Sequence, residues 1–214
     1  MHRSQRILSL LFGLGALTVG GVIALSPDPS GPWAYPLGQR LLYVHVPLAW
    51  VAYLGYGAAG VASFLVITRS SHGANRVLRS LLEVTTVFAA TGLATGLAWS
   101  YEFQGFDPLA DPKVVATLVL VAVLAGLWTL GATTPGTQAD KRLAALTLMG
   151  MVTVPASYLA SRLATPHPDF ATTTEITPTM ATLLAVASLG WLFLFTGASY
   201  LRHRQLTLEE ARTW

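Results

Sequence analysis

Cysteine is absent from this 214-residue chain, and charged side chains are scarce, at 11% of residues. Without cysteine there is no disulfide, thiolate metal site or thioether attachment point, so a metal would need histidine, methionine or oxygen ligands. No GxxxxGK[ST] motif occurs, which assigns any ATP hydrolysis to a separate subunit. The sequence contains no basic run with interleaved aromatic residues, which is the pattern that would indicate nucleic-acid binding. A hydrophobic content of 53% and a mean hydropathy of +0.55 exclude an ordinary soluble domain.

Six long apolar segments carry this hydrophobicity, and each is near the roughly 20 residues that cross about 30 Å of hydrocarbon as a helix. They are Ile7–Leu25, Val44–Thr68, Leu82–Trp99, Val114–Leu130, Leu143–Leu163 and Met180–Tyr200. The first exceeds the roughly 7 to 15 apolar residues of a signal peptide, which favours an uncleaved helix. Gly92 and Gly96 form a GxxxG pair in the third, typical of close helix packing in lipid. We therefore predict an all-α fold, a polytopic membrane bundle of six transmembrane helices in one domain, residues 1–214.

Lysine and arginine residues are distributed unequally between the two sides of these spans. Ten of the thirteen fall on one side, and the other three are Arg40, Lys113 and Arg162. Because short cytoplasmic loops carry the Lys/Arg excess, the pattern predicts that both termini are cytoplasmic (N-in and C-in). The external loops are then about 26–43, 100–113 and 164–179, and the protein is expected in the cytoplasmic (inner) membrane.

Two prolines and one carboxylate inside the spans are expected to affect helix geometry and ion pairing. Pro47 is expected in the first turn of its helix, where a missing N–H is harmless, whereas Pro155 is expected to kink the fifth span. Glu83 is the only carboxylate within the predicted spans. We expect it to pair with Arg79, four residues earlier on the same helix face.

Two of the five histidines, His45 and His167, are predicted at the outer interface, and the other three lie among the cytoplasmic basic residues. A lone interfacial histidine is more often structural, but two on one face could supply both axial nitrogens of a haem iron. The spacing leaves both interpretations open. The external cations Arg40, Lys113 and Arg162 are by elimination the candidates for binding the two haem propionates, with interfacial anchoring as the alternative.

The second predicted span opens on the sequence YVHVPLAWVAY, residues 43–53. This run resembles the start of the second helix in the CcmC family, the haem-handling membrane proteins of cytochrome c maturation system I. The resemblance covers nearly the whole chain, and it implies six spans, cytoplasmic termini and an external histidine at each of two places. By this resemblance His45 takes the first haem-ligand position, and His167 lies about where the second ligand stands. The implied cofactor is haem b, bound transiently.

The external loop after the third span departs from the family pattern, in which a tryptophan-rich WWD segment ends in Trp-Asp-Pro-Arg. Here Trp99 and Asp111 fit the pattern and Lys113 replaces its arginine, but the central tryptophans are missing. Phe103 and Phe106 are the candidate substitutes for stacking on haem. The candidate haem-binding residues are therefore His45, His167, Trp99, Phe103, Phe106, Asp111, Lys113, Arg40 and Arg162, with the two histidines as ligands of the iron.

The resemblance also implies a function without catalysis: external haem is bound and presented to the haem chaperone CcmE during c-type cytochrome maturation. The implied partners are CcmE, the ATP-binding-cassette pair CcmA and CcmB, a small CcmD-like subunit and membrane lipid. One alternative is a non-haem scaffold or permease subunit of an ABC-type export complex, which would need neither histidine. A quinone-linked b-type cytochrome would need histidine pairs deeper in the helices, and the predicted spans do not provide them.

Overall fold

The computed structural model describes residues 3–26, 38–69, 71–104, 110–134, 136–163 and 176–212, and the regular structure in these ranges is helical. The helices there are α1 (Arg3–Leu25), α2 (Gly38–Arg69), α3 (His72–Gln104), α4 (Pro112–Thr133), α5 (Thr137–Gly150), α6 (Thr153–Leu163) and α7 (Pro178–Arg212). α5 and α6 together supply one crossing, so six segments are long and apolar enough to cross a membrane. The predicted all-α fold with six spans is confirmed.

Helices α2 and α3 extend further on the predicted external side than their apolar runs. α2 begins at Gly38, six residues before the predicted span, and α3 ends at Gln104, five residues after it. Hydropathy marks the part of a helix that fits into hydrocarbon, whereas a helix can continue beyond it while its backbone hydrogen bonds remain satisfied. The first two loops on the predicted external side are therefore shorter than predicted. The N-in, C-in orientation and the single domain of residues 1–214 stay predictions.

The fifth crossing is interrupted near its middle. α5 ends at Gly150, α6 begins at Thr153, and Pro155 lies in the first turn of α6. Because Pro155 has no N–H, it cannot donate to the carbonyl of Met151 four residues earlier, which accepts a bond from the Val154 amide at 3.0 Å. The kink predicted at Pro155 is confirmed, and it takes the form of a break between two helices.

Pro47 lies in the interior of α2, nine residues after the helix begins. Its predicted place in the first turn was wrong, because the helix starts well before the apolar run. Pro47 cannot donate to the carbonyl of Tyr43, and the indole Nε1 of Trp191 on α7 donates to this oxygen at 3.3 Å. A side chain from α7 thus replaces the missing backbone donor, two residues away from His45.

Two large apolar clusters hold the described part of the bundle together, and a third, formed by Val51, Val84 and Phe195, joins α2, α3 and α7. The larger joins α2, α3, α4 and α5, and its most buried large members are Tyr56, Leu78, Leu82, Leu124 and Leu143. The smaller joins part of α1 to α2, α3 and α7 at their ends on the predicted external side, and it contains Leu42, Tyr43, Val46, Trp99, Met180 and Leu184. α1 packs mainly along α7. Four of the candidate site residues, His45, Trp99, Asp111 and Lys113, lie between α2, α3 and α4, near the helix ends on the predicted external side.

Ion pairs connect neighbouring helices at the end of the bundle that carries most of the basic residues. Arg202 on α7 donates to Glu83 at 2.7 Å, and Arg79 donates to Asp140 on α5 at 2.8 Å. Arg79 also donates to the carbonyl of Gly131, near the end of α4. The predicted pairing of Glu83 with Arg79 was therefore wrong, because each side chain reaches a partner on an adjacent helix.

Candidate functional site

His45 is held in one orientation by a hydrogen bond between two antiparallel helices. It lies seven residues into α2, and its Nδ1 is 2.8 Å from the carbonyl oxygen of Gly92 on α3. A carbonyl oxygen can only accept, so Nδ1 carries the hydrogen, and in the neutral imidazole the lone pair is then on Nε2. Histidine ligands of metals are commonly oriented in this way, by donating the other ring N–H to a backbone carbonyl.

Gly96 leaves the space that the imidazole of His45 occupies. A Cβ at this position would lie 2.6 Å from His45 Cε1, closer than real Cβ atoms come to other atoms, and 3.0 Å from its Nδ1. At Gly92 a Cβ would meet its nearest neighbour, the backbone nitrogen of Ala49, at an ordinary 3.7 Å. The GxxxG pair therefore does two things. It lets α2 and α3 approach, as predicted, and one of its glycines also makes room for a candidate ligand.

Trp99 lies beside the histidine ring. Its ring is stacked on that of His45, with centroids 6.3 Å apart and planes inclined by 24°. Trp99 is only 5% exposed, and it packs in the smaller cluster with Val46 and Met180. The indole that the sequence placed at the end of a span thus lies inside the bundle, as a wall against the candidate ligand.

A cavity of about 770 Å³, counting the space that opens to the surroundings, lies between α2, α3 and α4. The space exists because the facing helix positions carry little or no side chain: Ala49, Ala52, Ala89, Gly92 and Gly96 all line it. The predicted site residues that line it are His45, Trp99, Asp111 and Lys113.

Asp111 forms the start of α4, at the edge of this cavity. It is the N-cap residue: its carboxylate accepts a bond from the backbone amide of Lys113 at 2.8 Å, and Pro112 occupies the first helical position. Both are typical start signals, because an N-cap oxygen satisfies an otherwise unpaired amide and proline has no amide to satisfy. The Asp-Pro-Lys sequence thus fixes where α4 begins and directs the Lys113 side chain.

Lys113 points its ammonium into a polar cluster on the cavity wall. Nζ donates to Tyr53 Oη at 2.9 Å and to the carbonyl of Ser157 at 2.8 Å, and it lies 5.4 Å from the centre of the Tyr53 ring. Ser157 is fully buried, and its hydroxyl is also 3.2 Å from that of Thr117. Sequence reasoning missed Ser157 and Thr117, for which no local signal exists. Tyr53 ends the 43–53 run but was not assigned a role.

The other two predicted cations do not reach the described cavity wall. Arg40 is exposed on the first turn of α2. Arg162 is exposed near the end of α6, where it donates to the Tyr158 hydroxyl at 2.9 Å and lies over the same ring. The remaining predicted site residues, His167, Phe106 and the side chain of Phe103, lie outside the described residues.

Comparisons with known proteins agree with this architecture. A family model described as Heme exporter protein C (CcmC) matches residues 2–213. Heme exporter protein C of Escherichia coli is 28% identical over 209 residues, which cover 92% of this chain and 82% of that protein. The protein of the same name from Bradyrhizobium diazoefficiens is 26% identical over 135 residues, covering 62% of this chain and 49% of its own length.

A plant protein is also similar: the putative cytochrome c biosynthesis ccmC-like mitochondrial protein of Arabidopsis thaliana is 25% identical over 128 residues, 59% of this chain and 50% of its own length. The family model spans nearly the whole chain, all six crossings included. The family suggested by residues 43–53 is therefore confirmed. This chain, a multi-pass membrane protein, belongs to the heme exporter protein C family.

Proposed function

We propose that this inner-membrane protein binds haem at the external end of its bundle and presents it to a haem chaperone of the CcmE type. Its family supports a role in haem handling for cytochrome c maturation. The observation that carries the finer proposal is the setting of His45. Its imidazole is oriented by Gly92, accommodated by Gly96, stacked against Trp99 and placed on the wall of a cavity between three helices.

In this proposal haem is the transiently bound cargo, as haem b, and His45 supplies one axial nitrogen to its iron. A neutral imidazole with Nδ1–H engaged has its lone pair on Nε2, the form that binds a metal. His167 is proposed as the second axial ligand, because paired histidines are a common haem coordination and the residue follows the fifth crossing. Phe103 and Phe106 are proposed to stack on the porphyrin from the loop after α3.

Lys113 is proposed to hold a propionate of the haem. It is the one of the three predicted external cations that borders the described cavity, and its ammonium is already held by Tyr53 and Ser157. A lysine fixed in this way offers a carboxylate a positive charge at a defined place. Arg40 and Arg162 are then assigned to the interfacial ends of their helices, and Asp111 to the positioning of Lys113.

The place of this cavity in the fold supports the proposed handover to a chaperone. Its wall includes the start of α4 and the last turns of α3, the two elements that flank the loop of residues 105–111. A chaperone docking on this loop would meet the bound haem directly. CcmA and CcmB are proposed as the ATP-driven partners, with a small CcmD-like subunit, because this sequence has no phosphate-binding loop. The bond between haem and chaperone would form on the chaperone, with this protein orienting its cargo.

Haem titration of the purified protein in detergent, followed by visible absorption, tests the proposal. We expect His45→Ala and His167→Ala each to weaken haem binding by about tenfold or more, because each variant removes one axial nitrogen. His72→Ala is the matched control, since this exposed histidine begins α3 at the other end of the bundle.

If the double variant His45→Ala, His167→Ala kept the wild-type Soret band and affinity, the proposed haem site would be refuted. A double variant that also supported normal cytochrome c maturation would favour the alternative, a non-haem scaffold or permease subunit of an exporter. Loss of haem binding together with loss of maturation supports the proposed function over that alternative.

A further inference from the structure

A second cavity, of about 220 Å³ counting the space that opens to the surroundings, lies at the opposite end of the bundle from His45. It is found where α2 is followed by α3 and where α4 is followed by α5, and both α3 and α5 begin beside it. Its wall includes Val66, His72, Asn75, Thr137 and Lys141. None of these residues takes part in the proposed haem site.

The two helix starts beside this cavity differ in how their first amides are satisfied. At α3 the Ser71 hydroxyl accepts a bond from the Ala74 amide at 3.3 Å. At α5 the cap residue is Gly136, which has no side chain that could accept a hydrogen bond from the first turn. The N-terminal amides of a helix carry partial positive charge and bind anions readily. The start of α5 therefore offers donors to an anion in the cavity.

Asn75 is the independent sign that this cavity has an occupant. Its side chain is only 7% exposed, it lines the cavity, and its Oδ1 has no hydrogen-bond partner within the described residues. Buried polar atoms in native proteins are almost always satisfied by a protein group, a water molecule or a ligand. An occupant that satisfies Oδ1 must donate a hydrogen bond, and one that meets the start of α5 must accept hydrogen bonds.

The charges around the cavity favour an anion. Lys141 and His72 border it, and the carboxylate of Asp140, which also borders it, is paired with Arg79 at 2.8 Å. Ten of the chain's thirteen basic residues belong to this side of the predicted spans. Basic pockets between transmembrane helices on the cytoplasmic side of a membrane are typical sites for anionic lipid head groups.

We propose that this cavity binds the head group of an anionic phospholipid that carries a free hydroxyl, as phosphatidylglycerol does. The phosphodiester would accept hydrogen bonds from Lys141 and from the first amides of α5. The hydroxyl of the head group would donate to Asn75 Oδ1. The site lies at helix ends, where lipid head groups are present in the membrane at high local concentration.

Native mass spectrometry of the full-length protein in detergent, with added dioleoyl lipids, tests this assignment. We expect Lys141→Gln to weaken phosphatidylglycerol binding by about tenfold, because a charged hydrogen bond is lost. Arg142→Gln is the matched control: it removes the same charge at the neighbouring, exposed position, which does not line the cavity. Equal weakening by both variants would mean attraction to surface charge without a site, and would overturn the proposal.

A second lipid tests the role of Asn75 separately. Phosphatidylmethanol has the same charged phosphodiester but no free hydroxyl, so we expect it to bind more weakly than phosphatidylglycerol. Asn75→Ala should lower phosphatidylglycerol binding to the level of phosphatidylmethanol and leave phosphatidylmethanol binding unchanged. Equal binding of the two lipids by the wild-type protein would refute the contact with Asn75.

Two further competitors test the identity of the ligand. Inorganic phosphate that displaced the lipid at equal concentration would assign the cavity to free phosphate. Equal binding of zwitterionic phosphatidylethanolamine would refute the preference for an anion.

Discussion

Replacing Gly96 by alanine should disable the candidate haem site without unfolding the protein. The added Cβ would lie 2.6 Å from His45 Cε1, whereas ordinary contacts begin at 3.4 Å. The imidazole must therefore move away by about 0.8 Å. Side chains that bind a ligand must usually stay within roughly 0.5 Å of their productive positions. Since the backbone hydrogen bond at Gly92 fixes the ring, this movement strains or breaks the bond that orients Nε2.

Gly92→Ala provides a control that is chemically identical and one helical turn away. Its Cβ would meet only ordinary contacts, the nearest at 3.7 Å. Both substitutions gain about 0.5 to 1 kcal/mol of helix stability, because glycine is the more flexible residue in the unfolded chain. At Gly96 this gain is opposed by an overpacking cost of about 1 to 3 kcal/mol. The difference between the two variants therefore isolates the clash with His45.

Haem titration, with thermal unfolding in the same detergent, measures both effects. We expect Gly96→Ala to bind haem about tenfold or more weakly, with an unfolding temperature near that of the wild type. Gly92→Ala should keep wild-type affinity and unfold at the same or a higher temperature. If Gly96→Ala bound haem as tightly as the wild type, with a spectrum that still depended on His45, the argument that Gly96 positions the ligand would be refuted.

Two further predictions concern the fold. Trp191→Phe should destabilise the protein by about 1 to 3 kcal/mol, because the Tyr43 carbonyl loses the donor that replaces the missing amide of Pro47. In a Pro47→Ala background the same change should cost less, since the introduced alanine supplies a backbone donor, and equal costs in chemical unfolding would contradict this explanation. For the orientation, single cysteines at Asp107 and Ser71 should respectively react and fail to react with an impermeant external thiol reagent. The chain has no native cysteine to obscure the result, and external labelling at Ser71 would reverse the predicted topology.

The spans could be predicted from the sequence because the transfer of apolar side chains into hydrocarbon is a local, additive property. The same holds for the break at Pro155, since a missing N–H acts within one turn of helix. Helix ends were less predictable. α2 starts at Gly38 because a helix continues where its backbone hydrogen bonds are satisfied, and hydropathy does not report this condition.

The candidate site could be predicted in part. Residues 43–53 identified His45, and the Asp-Pro-Lys sequence identified the start of α4, because both patterns are local. The sequence also named Arg40 as a cation equivalent to Lys113, and the structure separates them. Lys113 borders the cavity, whereas Arg40 is exposed outside its described wall. Knowing which residues lie on one side of the membrane does not show which of their side chains face one another.

The sequence by itself determined that this protein crosses the membrane six times and that its candidate ligand begins the second crossing. Only the tertiary structure decided which residues contact one another across the bundle. Trp191 reaches Tyr43 from 148 residues away in the chain, and Ser157 holds Lys113 from 44 residues away. These pairings depend on which helices are adjacent and how each is rotated. That is set by the packing of the whole bundle, so no window of sequence contains it.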